Sequence, residues 1–182
     1  GLGRDSIYGG KGDDIIYAGD NGVSDGISPD DTATDVSASQ YDNSLYGQDG
    51  DDLLVGSNLD DLQVGGDGDD YLRGYKGDDN LSGNAENDKI RGYLGEDTLF
   101  GNSGNDVLHG HENDDLLDGG SDNDSLHGFN DHKNPSRSNV DILTGGAGQD
   151  HFILGSRYEI YYQLNRNNDI GIITDFNVAE DI

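Results

Sequence analysis

The chain has 182 residues and is dominated by acids and glycine: 38 Asp and Glu stand against 10 Lys and Arg, which gives a formal net charge of −28. Such a polyanion is not expected to bind nucleic acid, because the phosphate backbone is also negative. The sequence contains no run of about 20 apolar residues, so it predicts no transmembrane segment. Without cysteine it can form neither disulfides nor thiolate metal sites.

The choice of acid indicates turns rather than helices. Of the acids, 33 are Asp, and the chain also has 30 Gly. Asp and Gly favour tight turns, whereas acidic helical proteins use Glu. The composition leaves two possibilities: a disordered acidic chain, or a turn-rich fold that cations hold together.

A nine-residue period runs through the chain as far as Ile153. The regular nonapeptide, numbered here from one to nine, has Gly at position one, Asp at position six and an apolar residue at position eight, as in residues 65–73 and 74–82. Position six is Asp in 13 of 14 repeats, the exception being Asn43, and position eight is apolar in 13 of 14, the exception being Gln63. Each repeat therefore predicts a turn over positions one to six and a short strand at positions seven to nine.

This repeat resembles the RTX (repeats-in-toxin, hemolysin-type) calcium-binding nonapeptide G-G-x-G-x-D-x-U-x, and residues 9–17, GGKGDDIIY, match it at every position. The resemblance implies an all-β fold, a parallel β-roll that winds as a right-handed solenoid. It also implies several Ca²⁺ ions, roughly eight, each held between two turns 18 residues apart. One turn would supply the carbonyls of positions two and four with its Asp, and the later turn the carbonyls of positions one and three with its Asp. The metal ligands implied in this way are Asp5, Asp14, Asp52, Asp61, Asp70, Asp79, Asp88, Asp97, Asp106, Asp115, Asp124, Asp141 and Asp150, with Gly10, Gly12, Gly50, Gly65, Gly66, Gly68, Gly74, Gly77, Gly83, Gly92, Gly95, Gly101, Gly104, Gly110, Gly119, Gly145 and Gly148.

The residue pattern supports the same arrangement on physical grounds. Alternation within each strand points position eight to one face, so the eighth side chains of stacked strands form a thin core of Leu and Ile. If two nonapeptides make one coil, the sixth-position Asp of one turn lies near the Asp 18 residues further on. Adjacent carboxylates repel unless a cation neutralises them, and Ca²⁺ accepts about six to eight oxygen ligands. Because the core is thin and the charge is high, we expect a chain that is unfolded without calcium and folded with it.

Departures from the pattern identify weak repeats. Position four, where Gly is expected, is Leu59, Glu86, Asn113 or Asp122 in four repeats. Asn and Asp tolerate a left-handed backbone better than Leu and Glu, so the repeat that contains Leu59 and Gln63 is predicted to be the weakest. The pairs predicted to bind calcium best are Asp52/Asp70, Asp70/Asp88, Asp79/Asp97, Asp97/Asp115 and Asp106/Asp124.

The chain divides into a repeat region, residues 1–153, and a C-terminal segment, residues 154–182. In the C-terminal segment, residues 158–162 and 169–176 are expected to form longer strands that cap the end of the roll. Because the chain starts within a repeat and stops within a motif typical of a closing segment, we expect it to be part of a longer protein.

Two stretches without the apolar period, residues 20–42 and 129–139, are expected to loop out of the roll. They are either tolerated surface insertions or elements that bind a partner.

A weakly basic row is predicted on the outside of the roll. It could meet an anionic glycan or another domain of the parent protein, or it could be solubilising charge on an exposed sheet. A zinc site at its histidines is the least favoured interpretation. The row consists of position-nine residues with one lysine from position seven: Val55, Arg73, Arg91, His109, His127 and Lys89.

Motifs of the common enzyme classes are missing. The pair His111-Glu112 lacks the second histidine of a zincin motif, and there is no G-x-S-x-G, P-loop or EF-hand loop. We therefore predict no catalytic residue and no cofactor other than Ca²⁺.

The predicted function is an extracellular calcium-binding domain that folds on binding calcium and supports the secretion and stability of a larger exoprotein. The resemblance implies export by a bacterial type I secretion channel. Two alternatives stay open: an adhesion or interaction module of a surface protein, and the non-catalytic roll of a secreted protease, lipase or epimerase.

Overall fold

A computed structural model describes residues 6–17, 33–35, 42–128, 140–153 and 170–173. The described residues form strands and turns and no helix, and thus no helix that could cross a membrane. The strands are β1 (Ser6–Lys11), β2 (Ile15–Tyr17), β3 (Ala33–Asp35), β4 (Ser44–Asp49), β5 (Leu53–Val55), β6 (Leu62–Asp67), β7 (Tyr71–Lys76), β8 (Asn80–Ala85), β9 (Lys89–Leu94), β10 (Thr98–Ser103), β11 (Val107–Glu112), β12 (Leu116–Ser121), β13 (Ser125–His127), β14 (Val140–Ala147), β15 (His151–Ile153) and β16 (Ile170–Ile173).

Successive strands of the repeat alternate between two parallel sheets. One sheet has the order β1-β4-β6-β8-β10-β12-β14-β16, and the other has the order β15-β13-β11-β9-β7-β5-β2-β3. Uninterrupted repeats pair in a register of 18 residues, for example Leu72 with Ile90 and Leu81 with Leu99. Two nonapeptides therefore make one coil, and the predicted parallel β-roll of RTX-type repeats is confirmed.

Most strands are longer than the sequence predicted. Strand β7, for example, runs beyond positions seven to nine into the first three positions of the next repeat, and Tyr75 and Lys76 still pair with strand β9. Tyr75 does so with a left-handed φ of 83°. The composition of these positions was typical of turns, but hydrogen bonding between coils extends the strand through them.

The core consists of the position-eight side chains, which both sheets contribute and which lie between them. Its members pack in one cluster against which Phe152 lies partly buried: Ile7, Ile16, Leu45, Leu54, Leu72, Leu81, Ile90, Leu99, Leu108, Leu117, Leu126 and Leu143. Gln63 takes one place in this core and is fully buried. Its Nε2 donates a hydrogen bond of 2.8 Å to the carbonyl of Arg73, while its Oε1 has no hydrogen-bond partner among the described residues.

The two sheets each gain one strand from outside the regular repeats. Ala33–Asp35 lies within the predicted loop 20–42 and yet pairs with β2, so the prediction that this whole stretch loops out is wrong for these three residues. A strand of three residues carries too little alternation to be recognised in the sequence. Ile170–Ile173 pairs in parallel with β14, where a C-terminal strand was expected. The other expected capping strand, 158–162, and the loop 129–139 lie outside the described residues.

Candidate calcium-binding turns

The position-six residues form two rows, one along each edge of the roll. The first row contains Asp14, Asp52, Asp70, Asp88, Asp106, Asp124 and Asp150. The second row contains Asn43, Asp61, Asp79, Asp97, Asp115 and Asp141. Every one of these side chains is buried, with at most 6% of its surface exposed.

Each carboxylate is fixed by the turn before it in its row. The backbone N–H of Asp52 donates to Oδ1 of Asp70 at 2.8 Å, and the N–H of Asp70 donates to Oδ1 of Asp88 at 2.8 Å. The same bond, at 2.6 to 3.1 Å, links the neighbours throughout both rows. The predicted closeness of position-six residues one coil apart is confirmed, and each of the five favoured pairs is a pair of neighbours.

The second carboxylate oxygen, Oδ2, has no donor in eight of these residues. It is buried and has no hydrogen-bond partner in the described part of the chain in Asp52, Asp70, Asp79, Asp88, Asp97, Asp106, Asp115 and Asp124. A buried anionic oxygen without a partner is costly, and it needs a proton or a cation. Each of these eight oxygens can therefore accept a proton or bind a cation.

Glycine at position one leaves the space into which this oxygen points. A Cβ built on Gly65 would touch Oδ2 of Asp70 and lie 2.8 Å from the carbonyl oxygen of Gly83. A Cβ built on Gly47 would likewise touch Oδ2 of Asp52 and lie 2.6 Å from the carbonyl oxygen of Gly65. The Asp of one turn and the position-one carbonyl of the turn 18 residues later therefore converge on one point. These are two of the ligands that the resemblance implied.

Position four shows how the turns accommodate residues other than glycine. Asn113 and Asp122 adopt the left-handed φ values of 81° and 78°, as predicted for tolerant residues. Glu86 also adopts a left-handed φ of 70°, although the sequence placed this repeat in doubt. Its Oε2 accepts a hydrogen bond of 3.0 Å from the N–H of Gly68, which holds the turn in the regular conformation.

The turn at residues 56–61 is different. Among the described position-four residues, Leu59 alone does not have a left-handed φ. The N–H of Ser57 instead donates to Oδ2 of Asp61 at 2.6 Å, and the N–H of Leu59 donates to Oγ of Ser57 at 3.2 Å. The oxygen that is available elsewhere is therefore occupied here by the protein itself. In addition, the preceding residue in this row, Asn43, carries no charge.

Burial raises the pKa of these carboxyl groups. Backbone N–H donors lower each pKa and neighbouring carboxylates raise it, but the loss of hydration has the larger effect. For Asp61 only the upward direction is resolved. The pKa reaches about 6 in Asp52 and Asp106, about 7 in Asp70, Asp97 and Asp124, about 8 in Asp88, and about 9 in Asp79 and Asp115. Without a cation, many of the carboxyl groups in the two rows would be protonated at neutral pH.

A ladder at position five was missed by the sequence analysis. The side-chain oxygen of Asn87 accepts from both the backbone N–H and the side-chain amide of Asn105, at 2.9 and 3.0 Å, and Asn105 accepts from Asn123 in the same way. Asp51 accepts from the N–H of Asp69 at 2.9 Å. The signal was present in the sequence as a run of Asp and Asn before position six. These exposed oxygens accept hydrogen bonds from the next residue of the ladder. They therefore stabilise the turns and are not directed at the point where the position-six Oδ2 and the position-one carbonyl converge.

The structure describes every predicted ligand except one. Asp5 lies outside the described residues. The predicted glycines at position one, such as Gly65, provide close approach, and those at position four, such as Gly68 with a φ of 133°, provide the left-handed backbone. No group of three or more His, Cys, Asp or Glu side chains that could hold a metal occurs in the part of the chain described. A cation would therefore take backbone carbonyls with its two carboxylates, which is oxygen-only coordination of the kind that Ca²⁺ prefers.

Comparison with known families agrees with this donor set. The profile of the RTX calcium-binding nonapeptide repeat (4 copies) matches residues 1–21, 30–63, 64–99, 91–126 and 139–156. No curated protein and no solved structure matches the chain significantly.

Proposed function

The chain belongs to the family of RTX calcium-binding nonapeptide repeats, and from this premise we propose that calcium is what folds this domain. Calcium binding itself follows from the family. The observation that carries the proposal is the set of eight buried Oδ2 atoms that have no hydrogen-bond donor among the described residues. The protein supplies the oxygens for a cation but no positive charge of its own at these places. Folding without the ion would bury these carboxylates at a large cost in free energy.

The two rows are not equivalent in this proposal. In the first row, all six intervals between neighbours, from Asp14/Asp52 to Asp124/Asp150, have regular turns and bind calcium. In the second row, Asp79/Asp97 and Asp97/Asp115 bind calcium, because their turns at Gly77, Gly95 and Asn113 are regular. These intervals hold eight ions.

The turn at residues 56–61 binds no calcium in this proposal. A site there would need Oδ2 of Asp61, which already accepts from Ser57, and a position-four carbonyl in the left-handed arrangement, which Leu59 does not adopt. The intervals on either side of Asp61 are therefore held by hydrogen bonds alone. The repeat that leads to Asp141 includes residues outside the described part, and its interval is not among these eight.

Far-ultraviolet circular dichroism tests the proposal directly. The domain is placed in chelator and titrated with CaCl₂ to about 10 mM, which exceeds the dissociation constants typical of extracellular calcium modules. We expect a cooperative transition from coil to β structure with Ca²⁺. MgCl₂ is the control, because Mg²⁺ demands a smaller, octahedral shell and gives up its waters reluctantly. A domain that is fully folded in chelator, or that responds equally to both ions, contradicts the proposal.

The same mechanism suits an exported protein. We place the domain outside the cell, as part of a larger bacterial exoprotein that passes through a type I secretion channel. In a calcium-poor cytosol the chain would stay unfolded and could be exported as such, and external calcium would then fold it. In this setting the roll is a non-catalytic module. Expression of the parent gene with and without its secretion channel, followed by assay of the medium, tests this placement.

A further inference from the structure

The outer face of the second sheet carries a group of cationic side chains on a molecule of net charge −28. On the adjacent strands β7 and β9, Arg73 lies directly beside Arg91, and Tyr71 beside Lys89. We call these four residues the cationic strip. Together with Lys76 at the end of β7, the two strands contain four of the ten Lys and Arg residues of the chain.

The cations of the strip form no ion pair with a carboxylate of the described residues. In the described part of the chain, the ion pair that forms is between Lys11 and Asp49 on the first sheet, with Nζ and Oδ2 3.3 Å apart. Asp69 lies near enough to Lys89 to feel its charge, but too far for an ion pair. Arginines on a protein with so many acids would be expected to form ion pairs. Something other than a carboxylate must therefore hold these two side chains.

Aromatic rings hold the two guanidinium groups in place. The Cζ of Arg73 lies 4.3 Å from the centre of the Tyr71 ring, and that of Arg91 lies 5.4 Å from the same centre. Stacking of this kind restricts a guanidinium while its in-plane N–H groups stay available to an anion. Arg91 has one further contact, 3.5 Å from Nη1 to the hydroxyl of Tyr93. The Nε of Arg73 also has no hydrogen-bond acceptor among the described residues, but it is buried, so the Nη groups are the part of this guanidinium that can meet an anion.

Stacked rings continue the face beyond the strip. The rings of Tyr75 and Tyr93 are 5.2 Å apart, those of Tyr93 and His111 are 4.9 Å apart, and His109 lies 4.1 Å from His127. Because the ring faces cover one another, hydroxyl groups and ring nitrogens at the edges are what the stack can offer to solvent.

We propose that the cationic strip binds an acidic polysaccharide. Two guanidiniums one strand spacing apart, about 4.8 Å, can each bind a carboxylate or sulfate of one extended chain. The flanking hydroxyl and imidazole groups can hydrogen bond to sugar hydroxyls. A thin, flexible glycan can reach the strip with few of its charges near the acidic remainder of the roll. A second copy of this chain, or duplex DNA with one charge per about 1.7 Å, would bring far more repulsion.

Calcium is required for this binding in two ways. The strip exists only when β7 and β9 are paired, so the inference rests on the calcium-dependent folding proposed above. Bound Ca²⁺ also offsets part of the negative charge, which lowers the repulsion of an anionic ligand. Circular dichroism of the samples used for binding distinguishes the two proposals, because a folded protein that does not bind counts against the strip alone.

The test measures binding of chondroitin sulfate and oligogalacturonate to the full chain in calcium, by calorimetry or fluorescence anisotropy. The test variant is Arg73→Gln/Arg91→Gln. The matched control is Lys11→Gln, which also removes an exposed positive charge but lies in an ion pair on the other sheet. Arg91→Lys keeps the charge and loses the planar fork. Dextran is the neutral sugar control, and a short DNA duplex is the second polyanion.

We expect the double variant to lose at least about tenfold in affinity for one acidic glycan and Lys11→Gln to change it less than about twofold, with Arg91→Lys between them. Binding should weaken between about 0.1 M and 1 M NaCl, as the Debye length falls from about 10 Å to 3 Å. Equal binding of dextran, stronger binding of DNA, self-association that the double variant abolishes, or an unchanged affinity of the folded double variant each overturns the proposal.

Discussion

Asp97 and Asp61 occupy equivalent positions in the second row. Replacing each by asparagine should nevertheless have different effects on the number of bound calcium ions. Asp97→Asn keeps an oxygen that can accept from the N–H of Asp79. It removes the charge that Asp97 contributes to the intervals on both of its sides. We therefore expect the variant to bind two fewer ions than the parent.

The loss of stability follows from the number of ions. An ion at ten times its dissociation constant stabilises the folded state by about 1.4 kcal/mol, so the loss of two ions should cost about 3 kcal/mol at that calcium concentration. In chelator the variant should be no less stable than the parent, because a buried carboxyl with a pKa of about 7 has been replaced by a neutral amide. The defect should therefore depend on calcium.

Asp61→Asn is the matched variant. An asparagine can still accept from the N–H of Asn43, but its amide would then face the N–H of Ser57, and that hydrogen bond is lost. This costs about 1 to 3 kcal/mol at every calcium concentration. The number of bound ions should be the same as in the parent.

Native mass spectrometry or equilibrium dialysis gives the number of ions, and thermal unfolding at several calcium concentrations gives the stability. The reasoning is refuted if Asp61→Asn loses ions, or if Asp97→Asn retains all of them.

Three further predictions concern the turns and the core. Without calcium, the folded state should be more populated at pH 5 than at pH 8: burial raises the pKa of Asp79 to about 9, so its contribution to stability is complete below the unfolded pKa near 4 and is lost as the pH rises toward 9. Gly65→Ala should abolish calcium binding at its turn and cost about 1–3 kcal/mol, because the new Cβ would occupy the point between Oδ2 of Asp70 and the next turn. Gln63→Leu should raise the stability by about 1–2 kcal/mol, because it removes a buried oxygen without a donor, and the carbonyl of Arg73 keeps a second donor in the N–H of Gly56.

Each of these predictions has a control within the chain. For the effect of pH, circular dichroism in chelator is compared with the same scan in saturating calcium, where the dependence should reverse because protons compete with the ion. Gly56→Ala introduces a similar overlap, 2.5 Å from the carbonyl oxygen of Gly74, in the turn proposed to bind no calcium. It should therefore destabilise without changing the ion count. For Gln63→Leu, thermal unfolding that occurs at a lower temperature would contradict the argument.

The sequence was sufficient for the architecture because the period is strict. A fixed spacing of nine residues means that every coil repeats the same contacts, so the place of Leu72 in the core or of Asp70 in its row follows from arithmetic. The outer row from Arg73 to His127 could be predicted for the same reason, and the structure confirms it strand by strand. Val55, assigned to that row, has the expected register but is buried.

Irregular positions could not be judged from the sequence alone. Glu86 and Leu59 stand at the same position and were both expected to disturb their turns. The tertiary structure distinguishes them. Glu86 accepts a hydrogen bond from the N–H of Gly68 in the previous coil, which keeps its turn regular. In the turn that contains Leu59, the N–H of Ser57 donates to the carboxylate of Asp61 instead. The strand at Ala33–Asp35 likewise exists because β2 offers an unpaired edge.

By itself, the sequence of this protein determines a two-sheet roll, a core of position-eight apolar side chains and two rows of buried acids, since these depend only on the nine-residue period. Tertiary structure decides which acids are left with an oxygen for a cation. That outcome depends on donors supplied from 18 residues away, as for Asp97, which accepts from the N–H of Asp79, or from within a distorted turn, as for Asp61. The free energy of a buried charge is set by the partners that surround it, and the partners are known only once the coils are stacked.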